Sequence, residues 1–282
     1  MFEKRKHSRG FIKSVLYMSN ALLYGFTGLY YCFIQLYLHS ETPHSPTYIG
    51  ILLSIPQAVA IFAPLFWGIC ADKARYKNTV LMIIAIGMTA FYCAVPKSNA
   101  FWWLCITLGC TMFFLSAIGS ILDVICMEIA DTEHLRYGPM RLMGMLGYGF
   151  VSFGLSFFIG DSLHTVFPVC AILGLFCCFC IGFMPGVKGH AHARKTQFGP
   201  LFKGKELLAL IAILATAQFA YGYYLNFFPS YLTEELSAPT WLWGTNVLLT
   251  TLSEAPFYLW FDVLFFKLGL KKMVPWILVL TA

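Results

Sequence analysis

The chain has 282 residues, of which 59% are apolar and only 11% are charged, and its formal net charge is +6. Soluble domains carry about 25% charged residues, so a chain this apolar cannot cover itself with polar surface and is expected to be an integral membrane protein. The basic residues are scattered over short connections between apolar runs, which argues against nucleic-acid binding and assigns the positive charge to membrane topology.

Eight apolar runs have lengths suited to membrane-spanning helices, which need roughly 20 residues. They cover residues 14–38, 48–70, 79–95, 101–127, 141–160, 163–184, 206–232 and 241–266. A ninth run begins near Met273 and reaches Ala282, which is too short to span, so we expect the chain to be truncated inside a ninth helix. The runs predict an all-α polytopic membrane protein.

Basic residues lie in alternate connections between these runs, and the opposite connections hold mostly acidic residues. By the positive-inside rule the N-terminus is cytoplasmic, and we expect a plasma (inner) membrane location. The longest connection, 185–205, contains Gly, Pro, His and five basic residues, so it is predicted to be a cytoplasmic linker. It divides the chain into a six-helix N-terminal bundle, 1–184, and part of a C-terminal bundle, 206–282.

An internal repeat supports this division. A shift of 194 residues superimposes Ile49-Gly50 on Trp243-Gly244, Lys73 on Lys267, and Lys77 on Lys271. The shift spans six of the runs, which is an even number, so the two copies have the same orientation in the membrane. Parallel repeats of this kind are typical of the two halves of major facilitator transporters.

The connection after the second run carries a motif of small, acidic and basic residues, namely Gly68, Asp72, Lys73, Arg75 and Lys77. It resembles the cytoplasmic loop 2–3 signature of the major facilitator superfamily, although Arg75 stands where that family usually has Gly. We expect Gly68 to let helices approach closely, Asp72 to cap or pair at a helix end, and the basic residues to hold the loop inside. The resemblance implies a gating role, and an ordinary positive-inside loop is the alternative.

Asp123 and Arg141 each lie inside or beside an apolar run. A charged side chain at the bilayer centre costs about 2.5–3.5 kcal/mol on insertion scales, so such residues commonly mark functional sites. If the intervening turn centres near Thr132, the two residues lie at equal depth on antiparallel helices, roughly 13 Å from the turn at about 1.5 Å per residue. Alternatively, Pro139 opens the helix at its first position, and Arg141 is a shallow cytoplasmic anchor. Glu128 is expected to be a charge at the edge of the loop.

The segment from Tyr137 to Tyr148 contains an aromatic-Gly pair, Arg141, and then a Gly-x-x-Gly-aromatic pattern. It is similar to the start of the fifth helix in the lactose permease-like branch of the superfamily, which includes nucleoside and phenylpropionate proton symporters. The resemblance implies that Asp123 and Arg141 bind substrate and that Tyr148 stacks on a sugar ring. An Asp here replaces that branch's Glu, and a Tyr replaces its Trp. The resemblance also implies twelve helices, with the main proton-coupling residues in the ninth and tenth, and alternating access between two halves.

Glu254 lies in the middle of the eighth run, two residues before Pro256. The proline can break the helix locally and free carbonyl groups that line a cavity. A carboxylate in this setting can carry a proton, which makes Glu254 a candidate for proton coupling, and a structural hydrogen bond to a neighbouring helix is the alternative. No cofactor is expected besides the proton as coupling ion.

The runs contain further candidates. Polar side chains that can either line a cavity or join helices are Asn20, Gln35, Gln57, Gln218 and Asn226. Aromatic side chains that can either stack on sugars or bases or face lipid are Tyr24, Tyr30, Tyr31, Tyr221, Tyr223 and Tyr224. Glycines predicted to pack closely in the fifth run are Gly144, Gly147, Gly154 and Gly160. All ten cysteines lie in apolar runs, so neither a disulfide framework nor a metal site is expected.

The charges of the candidate site bear on the substrate. Because Asp123 offsets Arg141, the site should not strongly prefer anions, and a neutral polyhydroxy compound can bond to both side chains. We therefore predict a proton-coupled symporter for a sugar or oligosaccharide, with a nucleoside or aromatic acid as the alternative solute. A membrane receptor or scaffold with a transporter-like fold is the alternative from another class. Enzyme motifs such as H-E-x-x-H or G-x-S-x-G do not occur, so catalysis is not expected. The expected partners are a small-molecule solute and the lipid bilayer.

Overall fold

A computed structural model describes residues 8–158, 163–189 and 205–268 of the chain. Within these ranges the regular structure is helical and includes no β-strand. The principal helices are α1 Arg9–Glu41, α2 Pro46–Lys73, α3 Lys77–Ala94, α4 Phe101–Leu115, α5 Ile118–Glu133, α6 Tyr137–Phe158, α7 Val166–Phe183, α8 Lys205–Ser230 and α9 Thr240–Leu268. A short π-helical segment, Tyr231–Glu235, follows α8.

Six stretches in the described residues are long and apolar enough to cross a membrane, and they correspond to the first six predicted runs. The seventh and eighth runs are α8 and α9, whose 26 and 29 residues exceed the roughly 20 that a span requires. The prediction of an all-α polytopic membrane protein is therefore confirmed. The fourth run differs in detail, because it is broken at Ser116 and Ala117 into α4 and α5. The ninth predicted run lies outside the described residues.

Helix α1 is the centre of the assembly. Its buried side chains include Leu16, Leu23, Phe26, Leu29 and Phe33, and it packs against α6 and α7. A helix that is apolar on all sides is buried by neighbours. By contrast, α2 exposes a row of large apolar side chains, Ile61, Phe62, Leu65, Phe66 and Ile69, which is the surface expected of a helix that faces lipid.

The α1–α6 crossing is a close approach of two backbones. A Cβ atom added to Gly147 would lie 2.1 Å from the carbonyl oxygen of Ala21, and one added to Gly144 would lie 2.6 Å from the ring of Tyr24. Membrane helices pack closely where small residues let backbones meet. The predicted packing role is therefore confirmed for Gly144 and Gly147.

Two other glycines do not have the predicted role in the described part of the chain. No atom lies within 4 Å of the position that a Cβ would take at Gly154 or at Gly68. Gly68 is half-buried near the end of α2, but the structure places no close neighbour against it. Gly160 lies outside the described residues.

The loop motif surrounds the α2–α3 junction. Asp72 and Lys73 belong to the last turn of α2 and are exposed. Lys77 is the first residue of α3 and is buried, and its ammonium group pairs with the Glu128 carboxylate on α5. The expectation that Glu128 is a loop-edge charge is wrong, because a buried lysine requires a counter-charge and Glu128 supplies it from within a helix.

The start of the predicted linker is bound to the same junction. The Lys77 backbone N–H donates to the carbonyl of Val187, and the Val187 N–H donates to Asn78 Oδ1, each at 2.8 Å. The Asn78 amide donates to the Pro185 carbonyl at 3.0 Å. Residues 185–187 are thus held against the N-terminal start of α3.

Helix α9 packs along α6 at the ends that the topology prediction assigns to the outer side. Gly149 contacts Thr251, Gly244 contacts Ser156, and the rings of Phe157 and Trp241 stack with centroids 6.1 Å apart. The Gly149 and Gly244 contacts are again of the small-residue type that brings membrane helices together. Helices that precede residues 185–205 and helices that follow them thus border one cavity.

Candidate solute-binding cavity

Asp123 on α5 and Arg141 on α6 form an ion pair. Arg141 Nη1 lies 3.3 Å from both carboxylate oxygens of Asp123, and about a quarter of each side chain remains exposed. The Tyr137 side chain also hydrogen-bonds to Asp123. The structure thus brings together the two charged residues that the sequence analysis singled out, and each supplies the partner that the other needs in an apolar setting.

The turn between the two helices lies later than predicted. Thr132 is still within α5, which ends at Glu133, and His134 follows in a left-handed conformation with φ of 50°. Arg141 is consequently only four residues from the start of α6, whereas Asp123 is ten residues from the end of α5. The predicted equal depth of the two backbones is wrong, and the ion pair forms although the two residues lie at different distances from the turn.

Tyr24 of α1 separates this pair from the large cavity of the protein. The Arg141 guanidinium carbon lies 4.4 Å from the centroid of the Tyr24 ring, which is the geometry of a cation–π contact. Gly144 provides the space for the ring, because a Cβ atom there would collide with it. Among the described residues that line the cavity, Tyr24 is present and neither Asp123 nor Arg141 is.

The cavity has a volume of about 1110 Å³ and is bounded by α1, α2, α6, α8 and α9. Six of the aromatic side chains in its wall are Tyr24, Tyr31, Tyr148, Tyr221, Tyr224 and Trp243. Its uncharged polar groups come from glutamine, serine and threonine side chains on the same helices. A wall of this composition offers flat apolar faces together with hydrogen-bonding groups, which is the usual character of a small-molecule site.

Tyr148 and Glu254 both lie in this wall. Glu254 is half-buried in α9 and interacts electrostatically with Arg141 and with Tyr221. It is the one acidic residue among the described residues that line the cavity, and neither Lys nor Arg is among them. The cavity wall is therefore weakly charged, with a carboxylate at the end near Arg141.

The secondary candidates separate into two groups. Gln35, Gln57 and Gln218 line the cavity. Asn20 does not, because it is fully buried and its amide donates to the Leu16 carbonyl at 2.8 Å and to Cys126 Sγ at 3.2 Å. Asn20 thus joins α1 to α5, which is the alternative that the sequence left open. The side chain of Asn226 lies outside the described part of the structure.

Positions related by the repeat line the same cavity. With the shift of 194 residues, the cavity-lining positions Ile49, Leu53 and Gln57 of α2 correspond to Trp243, Val247 and Thr251 of α9, which also line it. Tyr31 of α1 and Tyr224 of α8, which a shift of 193 residues relates, line the same cavity. Equivalent faces of the two copies thus meet at one space, as expected of a site between parallel repeats.

Comparison with known proteins gives a family and several relatives. The family described as MFS_1 like matches residues 14–282. The uncharacterized transporter YwbF of Bacillus subtilis (strain 168) is 25% identical over 256 residues, which are 88% of this chain and 63% of that protein. The sucrose permease of Escherichia coli is 24% identical over 153 residues, which are 52% of this chain and 37% of the permease. The chain thus spans less than two thirds of the length of these relatives.

Solved structures show a common fold. A crystal structure of the nucleoside transporter NupG matches with a TM-score of 0.71 at 16% identity and covers 93% of this chain and 69% of that one. A variant of the same transporter matches with a TM-score of 0.75 at 15% identity. At these identities the likeness concerns the arrangement of helices.

Proposed function

Because the chain belongs to the MFS_1-like family, whose members are transporters and not enzymes, we propose that its full-length protein is a proton-coupled symporter for a small neutral hydroxylated solute. The proposed solute is a sugar or an oligosaccharide. Transport proceeds by alternating access, in which 1–184 and the bundle beginning at 206 rock around the shared cavity while 185–205 links them. The proposed orientation places the N-terminus in the cytoplasm, in the plasma (inner) membrane.

The composition of the cavity wall carries the proposal. Aromatic faces and uncharged hydrogen-bonding groups dominate the wall, and Glu254 is the acidic group that faces the space. The positive charge of Arg141 is offset by Asp123 at 3.3 Å and is covered by Tyr24. An anion would therefore meet neither lysine nor arginine among the described lining residues, where His39 is the one basic side chain, whereas a neutral polyhydroxy compound finds acceptors, donors and ring faces.

Each site residue has a proposed role. Tyr148 presents a ring face to the solute, and the Asp123–Arg141 pair binds its hydroxyl groups when Tyr24 moves aside. Glu254 exchanges the coupling proton, since a carboxylate in an apolar helix can be held in either protonation state. The α2–α3 motif that contains Gly68, Asp72, Lys73 and Lys77 gates the cytoplasmic side.

A ligand panel on the purified full-length protein tests the substrate class. Sugars, oligosaccharides, nucleosides and aromatic carboxylic acids are added one at a time, and the thermal transition is measured. A ligand at 100 times its dissociation constant stabilises the folded state by about 2.7 kcal/mol, which makes binders visible. Stabilisation by saccharides supports the proposal, and stabilisation by nucleosides alone would replace the sugar with a nucleoside. Stabilisation only by carboxylates would show that Arg141 is not neutralised by Asp123.

A further inference from the structure

We propose that the cavity contains a second, outer subsite formed by Gln35, Gln57 and Tyr31, which binds a second ring of an oligosaccharide. The inference rests on the proposed function and narrows it, because it requires a solute of at least two rings. The inner subsite is the end of the cavity that contains Tyr148 and Glu254.

The cavity is long enough for two rings. Its wall extends along α1 from Tyr24 to His39, which is 15 residues, or about 22 Å at 1.5 Å per residue. On α9 it extends from Trp243 to Glu254, which is 11 residues or about 16 Å. The volume of about 1110 Å³ slightly exceeds the roughly 300–1,000 Å³ of ordinary small-molecule pockets.

Gln35 carries the hydrogen-bonding capacity of the outer subsite. Its side chain is only 3% exposed, and its amide nitrogen donates to Ser230 Oγ at 3.0 Å. Its carbonyl oxygen Oε1 is buried without a hydrogen-bond partner among the described residues. Because an unsatisfied buried acceptor is unfavourable, we expect Oε1 to accept a hydrogen bond from a hydroxyl group that enters beside it.

Gln57 approaches the same point from α2. Gln35, Gln57 and Tyr31 together border a recess of about 10 Å³ that adjoins the main cavity, which is about the space of a single water. Gln57 itself is exposed, so its amide is free to turn toward a ligand. The recess thus has on one side the Gln35 side chain, which is anchored by its bond to Ser230, and on the other the adaptable Gln57 amide, a pair that suits the hydroxyl group of a sugar.

Aromatic rings connect the two subsites along α8. Tyr221 interacts with Glu254 at the inner end. Its ring stacks on that of Tyr224 with centroids 6.4 Å apart, and Tyr224 lies 5.7 Å from the Trp243 ring near the outer end. Flat ring faces in succession offer apolar contact to consecutive sugar rings, while the glutamines at the outer end fix the position of the last ring.

The proposal is tested by calorimetric binding of a monosaccharide and of the disaccharide built from it. The proteins are the full-length parent, Gln57→Leu, Gln35→Leu and the matched inner control Gln218→Leu, with the thermal transition of each as the folding check. We expect the parent to bind the disaccharide about tenfold more tightly, which corresponds to about 1.4 kcal/mol. Gln57→Leu should remove most of this preference and leave the monosaccharide affinity unchanged, whereas Gln218→Leu should weaken both ligands by a similar factor.

The outcomes distinguish a failure of the outer subsite from a failure of the proposed sugar transport. Equal affinity of the parent for the two saccharides overturns the outer subsite and leaves the sugar transporter in place, and this comparison needs no variant. An equal loss of both saccharides in Gln57→Leu also overturns it. If neither saccharide binds the parent while a nucleoside does, the proposed substrate class is wrong and the outer subsite fails with it.

Discussion

The close approach of α1 and α6 predicts a large cost for Gly147→Ala. The added methyl group would lie 2.1 Å from the carbonyl oxygen of Ala21 and 2.6 Å from its carbonyl carbon and its Cα. These are backbone atoms of a buried helix, so no side-chain rotation can relieve the collision. Overpacking typically costs about 1–3 kcal/mol, and the better helix propensity of alanine returns at most about 1 kcal/mol. With that gain subtracted in full, the net destabilisation is about 0–2 kcal/mol, and the difference from a Gly→Ala change that meets no neighbour is the whole of about 1–3 kcal/mol.

The matched control is Gly154→Ala in the same helix. No atom of the described residues lies within 4 Å of the position that its methyl group would take, so this change should be neutral or slightly stabilising. The assay is the thermal transition of the full-length protein in detergent, where a change of 1 kcal/mol corresponds to about 2–4 °C in domains of 150–250 residues. Gly147→Ala should melt several degrees below Gly154→Ala.

The refuting result for this prediction is specific. If Gly147→Ala and Gly154→Ala melt at the same temperature, the two backbones do not meet at Gly147. The position of Tyr24 relative to Arg141 would then be in error as well, because the same crossing places that ring.

Three further predictions concern solute binding, proton coupling and membrane orientation. Arg141→Lys should weaken solute binding about tenfold, because lysine cannot stack flat on Tyr24 while bonding to the carboxylate. The control is Arg136→Lys at an exposed position. If both changes have an equally small effect, the Asp123–Arg141 pair stabilises the fold and does not bind the solute. Glu254→Gln should bind a neutral solute but lose uptake driven by a pH gradient, and undiminished uptake would exclude Glu254 as the proton carrier. A cysteine replacing His192, in a background without native cysteines, should react only from the cytoplasmic side; labelling from outside intact cells would reverse the proposed orientation.

Much of the fold was predictable because each step has a strong physical constraint. A bilayer requires runs of about 20 apolar residues, and the eight predicted runs recur as helices. The Asp123–Arg141 contact was predictable for a similar reason, since a charge in an apolar run requires a partner and the connecting turn is short. The repeat relates α2 to α9 in the sequence, and the structure adds that equivalent faces of these two helices line one cavity.

The features that could not be predicted depend on which face each helix turns toward its neighbours. Composition shows that Tyr24, Asn20 and Gln35 lie in α1, but packing alone decides that Tyr24 covers Arg141, that Asn20 bonds to α5 and that Gln35 faces the cavity. The burial of Lys77 and its contact with Glu128 depend in the same way on where α3 and α5 meet. The single sequence did not indicate which face of each of these helices meets which neighbour.

The most direct test of the central claim is solute flux through the full-length protein in sealed proteoliposomes. With a pH gradient imposed across the membrane, the saccharide that binds best should accumulate inside, and a protonophore should abolish the accumulation. Accumulation that follows the gradient is the result that the proposed mechanism predicts. Saturable binding of the same saccharide without any flux in either direction would contradict it and would identify the protein as a receptor with a transporter fold.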